Sequence, residues 1–172
     1  SLDGPWKVKV LPCTSMEDPT RTWYDDDDWE QMHVPFNSEE QIEHGDGFIW
    51  FRREIDVPAD WSDRIYLRFA GVDDETYVYV DGHEVGYHCG WHRPFQLDIS
   101  PYVTPGRGAT VVIRCAVRKP LSFYFDGGMT YTFVRDYAIN RYPVKTKKLG
   151  GIFAHAELAC LEHAGPVRFF PR

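Results

Sequence analysis

Apolar and polar residues alternate with a period of two along most of this chain. Trp6, Val8 and Val10 alternate with Lys7 and Lys9, which predicts a half-buried first strand. The same alternation, or a short apolar run, marks the segments WEQMHVP, FIWFRREIDVP, RIYLRFAG, TYVYV, HEVGYH, PFQLDIS, TVVIRCAV and IFAHAELACL. No segment combines a sustained helical period with helix-capping residues. About eight strands at regular spacing therefore predict an all-β fold, an antiparallel β-sandwich.

The alternation also predicts which face of each strand is buried. In FIWFRREIDVP one face carries Ile49, Phe51, Ile55 and Val57, and the other carries Trp50, Arg52, Glu54 and Asp56. The inward residues predicted for the later strands are Ile65, Leu67, Phe69, Phe95, Leu97, Ile99, Val111, Ile113, Cys115 and Val117. Asp81-Gly82 separates two strand segments and is the strongest hairpin signal, because a type I′ turn requires positive φ at both central residues.

Between Lys119 and Gly151 the pattern predicts one long loop, of about 30 residues. Loops of this length are uncommon in compact domains and are usually functional or disordered. Its many aromatic residues are wrong for a disordered linker: Phe123, Tyr124, Phe125, Tyr131, Phe133, Tyr137 and Tyr142. We therefore expect this loop to pack down or to cover something.

Composition narrows the class of protein. The 172 residues are 43% hydrophobic and 26% charged, which excludes disordered and collagen-like chains. The chain is too short for a (β/α)₈ barrel, which needs about 200 residues or more. The net charge of −7 argues against nucleic acid or an anionic membrane surface as partner. No apolar run approaches the ~20 residues of a membrane span.

The start of the chain, SLDGPWKV, has neither a basic region nor an apolar region of the kind found in signal peptides. We therefore expect a cytoplasmic protein, or a periplasmic or secreted one if a signal was removed before this numbering begins. The expected organisation is one domain over residues 1–163, with 164–172 as a tail or linker.

Metal-binding patterns are weak. The cysteines form no CxxC pair, so a zinc knuckle is not expected; Cys115 and Cys160 are predicted to be buried thiols, and pairing of Cys13 with Cys89 stays open. His83, His88 and His92 do not all share one strand face, which argues against zinc. The predicted cofactor is therefore none.

The acidic run Asp25–Asp28 has one alternative interpretation. Its carboxylates could hold a structural Ca²⁺, but the run lacks the spacing and the glycine of an EF-hand loop. A solvated, self-repelling loop is the favoured interpretation.

Several segments, in order, carry a resemblance to a known family: LDGPWKV, DW…VP, FIWFRREIDVP, LRFAGVDDETYVYVDGHEVGYHCGWHRPFQLDISPYV and GGIFAHAEL. Together they resemble the N-terminal sugar-binding domain of glycoside hydrolase family 2, which includes β-galactosidases, β-glucuronidases and β-mannosidases. The resemblance covers the chain from Leu2 to Leu161, and its most specific part is the block from Arg64 to Val103.

The resemblance implies a jelly-roll sandwich of the galactose-binding-domain-like type. It also implies an immunoglobulin-like domain and a catalytic barrel as neighbours, and these are the expected protein partners. The family's catalytic glutamates lie in the barrel. Because this chain contains no barrel, we predict that it is not an enzyme by itself, although it is part of, or derived from, a glycoside hydrolase.

Candidate sugar contacts lie in three segments. Trp91 and His92 follow a glycine in YHCGWHRPF, and sugars stack their C–H faces on aromatic rings while charged side chains hold their hydroxyls. The run NRYPVKTKKLGGI is basic, and its cations suit an acidic sugar such as a uronate. The predicted carbohydrate-binding residues are Trp91, His92, Arg141, Tyr142, Lys145 and Trp23.

Each candidate also has a structural alternative. Trp91 could pack within the domain or contact the barrel. The basic run could be a solvated surface or an interface with another domain. In the family, the loop before the last strand can lean over the active site of the barrel. β-Glucuronidase-like members place an acidic, aromatic stretch there, whereas this chain has Lys145, Lys147 and Lys148.

The sequence thus predicts a non-catalytic carbohydrate-binding or accessory module, a fragment of a larger glycosidase such as a β-glucuronidase or β-galactosidase. An acidic glycan is one candidate ligand. The alternative is a structural domain that braces the barrel and lends a loop to its active-site rim, without binding sugar on its own.

Overall fold

The structure is a computed structural model, and the residues it describes are 1–35, 42–43, 47–61, 64–72, 75–89, 93–116, 121–125, 129–133, 149–150 and 156–160. Their strands are β1 Gly4–Pro12, β2 Glu30–Val34, β3 Ile42–Glu43, β4 Gly47–Asp56, β5 Ile65–Phe69, β6 Glu75–Val80, β7 His83–Cys89, β8 Phe95–Asp98, β9 Gly108–Ala116, β10 Leu121–Phe125, β11 Met129–Phe133, β12 Leu149–Gly150 and β13 Ala156–Cys160. Within these ranges the only helix is the 3₁₀ turn Ser100–Tyr102, and no helix is long and apolar enough to cross a membrane.

Two antiparallel sheets form the sandwich. The larger has six strands in the order β2-β1-β4-β9-β6-β7, and the smaller has three in the order β13-β5-β8. Two short pairs, β10-β11 and β12-β3, are separate. Every strand pairing in the described part of the chain is antiparallel. The prediction of an all-β antiparallel sandwich is confirmed.

The inner core lies between the two sheets. Phe51 of β4, Ile113 of β9 and Leu67 of β5 are all completely buried and belong to one contiguous cluster. Burying such side chains stabilises the fold by about 1.5–3 kcal/mol each. The predicted inward faces of β4, β5 and β9 are therefore confirmed, while Val117 falls outside the described residues.

The predicted hairpin turn joins β6 to β7. Asp81 has φ 46° and Gly82 has φ 83°, so both central residues have the positive φ that a type I′ turn requires. Asp81 also ties the turn to β9, because the Thr110 amide donates to its Oδ1 at 2.7 Å and its own amide donates to the Thr110 carbonyl at 3.0 Å.

The prediction of one structureless loop from Lys119 to Gly151 is wrong for part of that range. β10 and β11 pair with each other, with Phe123 opposite Tyr131, and Leu149–Gly150 pairs with Ile42–Glu43. The cause is visible in the sequence, where LSFYF and MTYTF are β-prone segments joined by Asp-Gly-Gly, a hairpin signal. The estimate of eight strands was therefore too low.

The centre of the outer face of the six-stranded sheet is buried as well. Trp50 and Arg52 of β4 and Val112 of β9 point away from the inner core and are 7%, 4% and 0% exposed. They are covered by residues 13–29, which we call the outer loop. Trp29 of this loop forms an outer cluster with Leu11, Trp50 and Val112. Around Trp50, Arg52 and Val112, β4 and β9 are thus packed on both faces.

Candidate functional site

Of the predicted sugar contacts, the structure describes Trp23. Its side chain is 80% exposed in the outer loop, as a ring available to a ligand would be. The other five predicted contacts lie outside the described residues; they are Trp91, His92, Arg141, Tyr142 and Lys145. The neighbouring Lys147 and Lys148 lie outside them too. Their role in sugar binding stays a prediction.

Ion pairs hold the outer loop against the sheet. Asp26 accepts from Lys7 Nζ through Oδ1 at 2.6 Å and from Arg52 Nε through Oδ2 at 2.8 Å. Lys9 Nζ donates to Asp28 Oδ2 at 2.8 Å. The alternation that turns Lys7 and Lys9 away from the inner core places both amines beneath the acidic run. The expectation of a solvated loop is confirmed, since the Asp27 and Asp28 side chains are 93% and 69% exposed. The expectation that the loop repels itself is wrong, because β1 and β4 supply its counter-charges.

Arg52 is the central anchor of the outer loop. Its guanidinium donates to the carbonyl oxygens of Pro19 and Arg21 as well as to Asp26. It also lies over the Tyr24 ring, 5.5 Å from the centroid. Its side chain is only 5% exposed. A buried cation destabilises a fold unless it is paired, and these contacts supply the pairing.

The partners of Asp26 also shift the pKa of its carboxyl group. Burial alone would raise the pKa of its carboxyl group. The hydrogen bonds from Lys7 and Arg52, and their positive charges, outweigh burial and lower the pKa below its ordinary value of 3.8. Asp26 is therefore charged in the folded protein at neutral pH.

The described residues contain no cluster of three or more His, Cys, Asp or Glu side chains that could hold a metal ion. His88 is instead stacked on Phe95, with ring centroids 4.1 Å apart, and His83 lies 5.8 Å from the Tyr102 ring. These imidazoles pack against aromatic rings. In the acidic run Asp25–Asp28, Asp26 pairs with Lys7 and Arg52, and Asp28 pairs with Lys9.

An open cleft of about 460 Å³ lies between the outer loop and the outer face of the sheet, and we call it the outer-face cleft. Phe48, Trp50, Tyr79 and Arg114 line it on the sheet side. Its other wall comes from the end of β1 and the outer loop, including Ser15, Glu17, Asp18, Thr20 and Arg21. Its size is within the range of small-molecule sites, about 300–1,000 Å³.

Arg114 lies at the centre of the sheet side of this cleft. It is directly opposite Trp50 of β4 and Tyr77 of β6 in the strand register. Its guanidinium carbon is 4.2 Å from the Tyr77 ring centroid, 4.9 Å from Phe48 and 5.7 Å from Trp50. Cation–π contacts of this kind contribute about 0.5–2 kcal/mol each. Three rings therefore hold the cation in place.

Arg114 differs from Arg52 in its polar partners. Its Nε is buried and has no hydrogen-bond partner. Within the described residues, none of the ion pairs involves Arg114. Burial raises the pKa of the neighbouring Tyr79 hydroxyl, and the positive charge of Arg114 opposes that shift. The cleft thus contains a cation balanced by aromatic rings rather than by a carboxylate.

Sequence reasoning did not identify this cleft. The available signal was an arginine at an outward position in each of two central strands, FIWFRRE and TVVIRCA. Charged residues are rarely buried in sheets unless they are paired or functional. The wall of the cleft could not be predicted, since it depends on how the outer loop folds back across the sheet.

Comparison with known proteins assigns the chain to a family. The family model described as "Glycosyl hydrolases family 2, sugar binding domain" matches residues 1–142. The β-glucuronidase of Canis lupus familiaris is 34% identical over 80 residues, which are 44% of this chain and 12% of that protein. The β-glucuronidase of Mus musculus is 30% identical over 137 residues, which are 71% of this chain and 21% of that protein.

Solved structures agree with the fold. A β-glucuronidase of Faecalibacterium prausnitzii superposes with a TM-score of 0.68 at 22% identity, over 92% of this chain and 30% of that one. One from Ruminococcus gnavus, in complex with uronic deoxynojirimycin, gives 0.67 at 22% identity, over 93% of this chain and 28% of that one. The chain therefore spans under a quarter of each of these two curated relatives and under a third of the two solved chains.

Proposed function

Because the chain belongs to the sugar-binding domains of the family 2 glycosyl hydrolases, we propose that it is the non-catalytic sugar-binding module of a larger glycosidase acting on β-glucuronides. The observation that carries this proposal is the family match over residues 1–142. The relatives named above are β-glucuronidases, and the chain matches only a part of each. The immunoglobulin-like domain and the catalytic barrel are the partners that the proposal requires.

The proposed ligand is a glycan that carries a uronate. A carboxylate pairs well with Arg and Lys side chains, and Arg141 and Lys145 supply both in the basic run. Trp91, Tyr142 and the exposed ring of Trp23 are the proposed stacking surfaces for the sugar rings. Because such sites are shallow and wet, the affinity of the isolated chain is expected to be modest.

Calorimetric titration of the chain tests this proposal. The probes are methyl β-D-glucuronide and methyl β-D-glucoside, which differ in the carboxylate. We expect the glucuronide to bind more tightly, to weaken as salt is added, and to lose most of its affinity in Trp91→Ala or Tyr142→Ala. Met16→Ala is the matched control, because that side chain is 97% exposed and is not among the proposed contacts.

The alternative is a domain that braces the barrel without binding sugar. The exposure of Met16 and Trp23 favours it, since both are large apolar side chains of the outer loop that a neighbouring domain could cover. If neither glycoside binds a well-folded chain, the sugar-binding proposal fails. In that case Trp91→Ala and Tyr142→Ala are expected to lower the activity of the longer enzyme only.

A further inference from the structure

The outer-face cleft holds a positive charge whose partner is not supplied by the described part of the chain. Arg114 contacts the rings of Phe48, Trp50 and Tyr77, but its Nε is buried without a hydrogen bond. Aromatic faces attract a cation, yet they do not satisfy N–H donors as a carboxylate does. The comparison with Arg52 is direct, because that arginine, on the neighbouring strand, is paired with Asp26.

The opposite wall limits which anion fits. Glu17 and Asp18 belong to this wall, so a multiply charged ligand such as a phosphate would meet two carboxylates. Asp18 is neutralised by Arg21, whose Nε donates to it at 2.7 Å, and Glu17 accepts from the Tyr24 hydroxyl. A ligand with one negative charge and several hydroxyl groups suits this arrangement, since carboxylates readily accept hydroxyl hydrogen bonds.

Size and shape agree with that chemistry. The cleft of about 460 Å³ is open to solvent and is larger than a single carboxylate group needs. Phe48 is partly exposed and offers an apolar edge beside the cation. A sugar ring presents apolar C–H groups and hydroxyls together, which matches a wall that is partly aromatic and partly polar.

We propose that the outer-face cleft is a binding site for a carboxylated saccharide, with the Arg114 guanidinium pairing with the carboxylate of the sugar. The saccharide class rests on the proposed function, whereas the selection of a carboxylate rests on Arg114 and its rings. The site is separate in sequence from the predicted contacts around Trp91 and Tyr142. One domain would therefore hold an acidic glycan at a second position, on the outer face of its larger sheet.

The test compares arginine variants in the same titration. Arg114→Gln is expected to weaken the methyl β-D-glucuronide binding event of the cleft about tenfold or more, because it removes a charge-assisted pair, and to leave methyl β-D-glucoside binding nearly unchanged. Arg68→Gln is the matched control, since Arg68 is also an arginine on a strand, lies in the three-stranded sheet and donates to Gln96. It should bind both glycosides as the wild-type chain does.

A second variant distinguishes a loss of binding from a loss of folding. Arg114→Lys keeps the positive charge and loses the planar fork, and we expect an intermediate loss of glucuronide affinity with an unchanged melting temperature. The proposal is overturned if both variants bind the glucuronide as the wild-type chain does, or if the wild-type chain binds neither glycoside.

The variant Trp91→Ala separates the two proposals. If both sites exist, Trp91→Ala removes one glucuronide-binding event and keeps the one that Arg114→Gln weakens. If Trp91→Ala abolishes glucuronide binding while Arg114→Gln has no effect, the sugar-binding proposal stands and the second site is wrong. If Arg114→Gln weakens binding and Trp91→Ala has no effect, the cleft is the site and the contacts proposed around Trp91 fail.

Discussion

The two faces of the six-stranded sheet are both buried at its centre, in β4 and β9, but by different chemistry. On the inner face, Ile49 and Phe51 of β4 pack with Ile113 of β9 in a cluster of apolar side chains. On the outer face, the same strands present Trp50 and Arg52 beside Val112 and Arg114. The inner face meets the second sheet, whereas the outer face meets a loop fixed by ion pairs and a cleft that contains a cation.

The inner face stabilises the domain, whereas the outer face carries the groups that could recognise a ligand. Apolar burial is non-directional and depends mainly on the area removed from water, so the inner face specifies the fold. Guanidinium groups need particular partners at particular angles. The outer face therefore specifies the position of the outer loop, through Arg52 and Asp26, and leaves Arg114 without a carboxylate partner among the described residues.

The largest expected effect is at the inner face. Phe51→Ala removes a completely buried ring between the sheets and should lower the free energy of unfolding by about 3–5 kcal/mol. Urea denaturation followed by circular dichroism measures this. Trp23→Ala removes an aromatic ring that is 80% exposed, and it should change stability by about 0.5 kcal/mol or less. Equal losses in the two variants would contradict the assignment of the inner face.

The second effect concerns the anchor of the outer loop. Arg52→Met keeps the apolar stem but leaves Asp26 with one partner and two carbonyl oxygens without this donor, so we expect a loss of about 2–3 kcal/mol. Proteolysis should also cut the outer loop faster. Arg68→Met, which removes an exposed hydrogen bond to Gln96, is the control and should cost about 0.5 kcal/mol or less. Normal stability of Arg52→Met would show that the ion pairs do not hold the loop.

The acid side of the stability profile gives the third prediction. The pKa of Asp26 is lowered in the folded chain, so its contribution is present above its ordinary pKa of 3.8 and is lost as the pH falls through the lower folded value. The difference in melting temperature between the wild-type chain and Asp26→Asn should therefore be large at pH 7 and should shrink below about pH 4.

A control residue lies beside Asp26. The Asp27 side chain is 93% exposed and 3.5 Å from Lys7 Nζ, so Asp27→Asn should differ little from the wild-type chain at any pH. A difference for Asp26→Asn that stays constant from pH 7 to pH 3 would contradict the ion-pair account.

The smallest effect is expected at the edge of the outer loop. Lys9→Gln removes the ion pair between Lys9 and Asp28, whose side chains are 29% and 69% exposed, respectively. It should lower the free energy of unfolding by about 0.2–1 kcal/mol. The loss should decrease further in high salt, because screening weakens exposed pairs most. A loss as large as that of Arg52→Met would show that the exposed pair, and not the buried arginine, anchors the loop.

The inner face was predictable from the sequence, and the outer face was not. The alternation in IYLRF and the Asp81-Gly82 turn depend on local chemistry, so the strands and the hairpin followed from them. The burial of Arg52 and the outer-face cleft depend on a long segment folding back over the sheet, which no local pattern encodes. The aromatic pair β10-β11 was predictable in principle, because the turn signal was present between two β-prone segments.

The most direct test of the different roles of the two faces is to locate where the ligand binds on the sheet. Methyl β-D-glucuronide is titrated into ¹⁵N-labelled chain, and amide shifts are followed by nuclear magnetic resonance. Among the residues of the two sheets, we predict the largest shifts at Trp50, Tyr79 and Arg114, with much smaller shifts for Leu67 and Phe69 of the three-stranded sheet. Absence of shifts around Arg114, or equal shifts in both sheets, would contradict the account that the outer face recognises the sugar while the inner face maintains the fold.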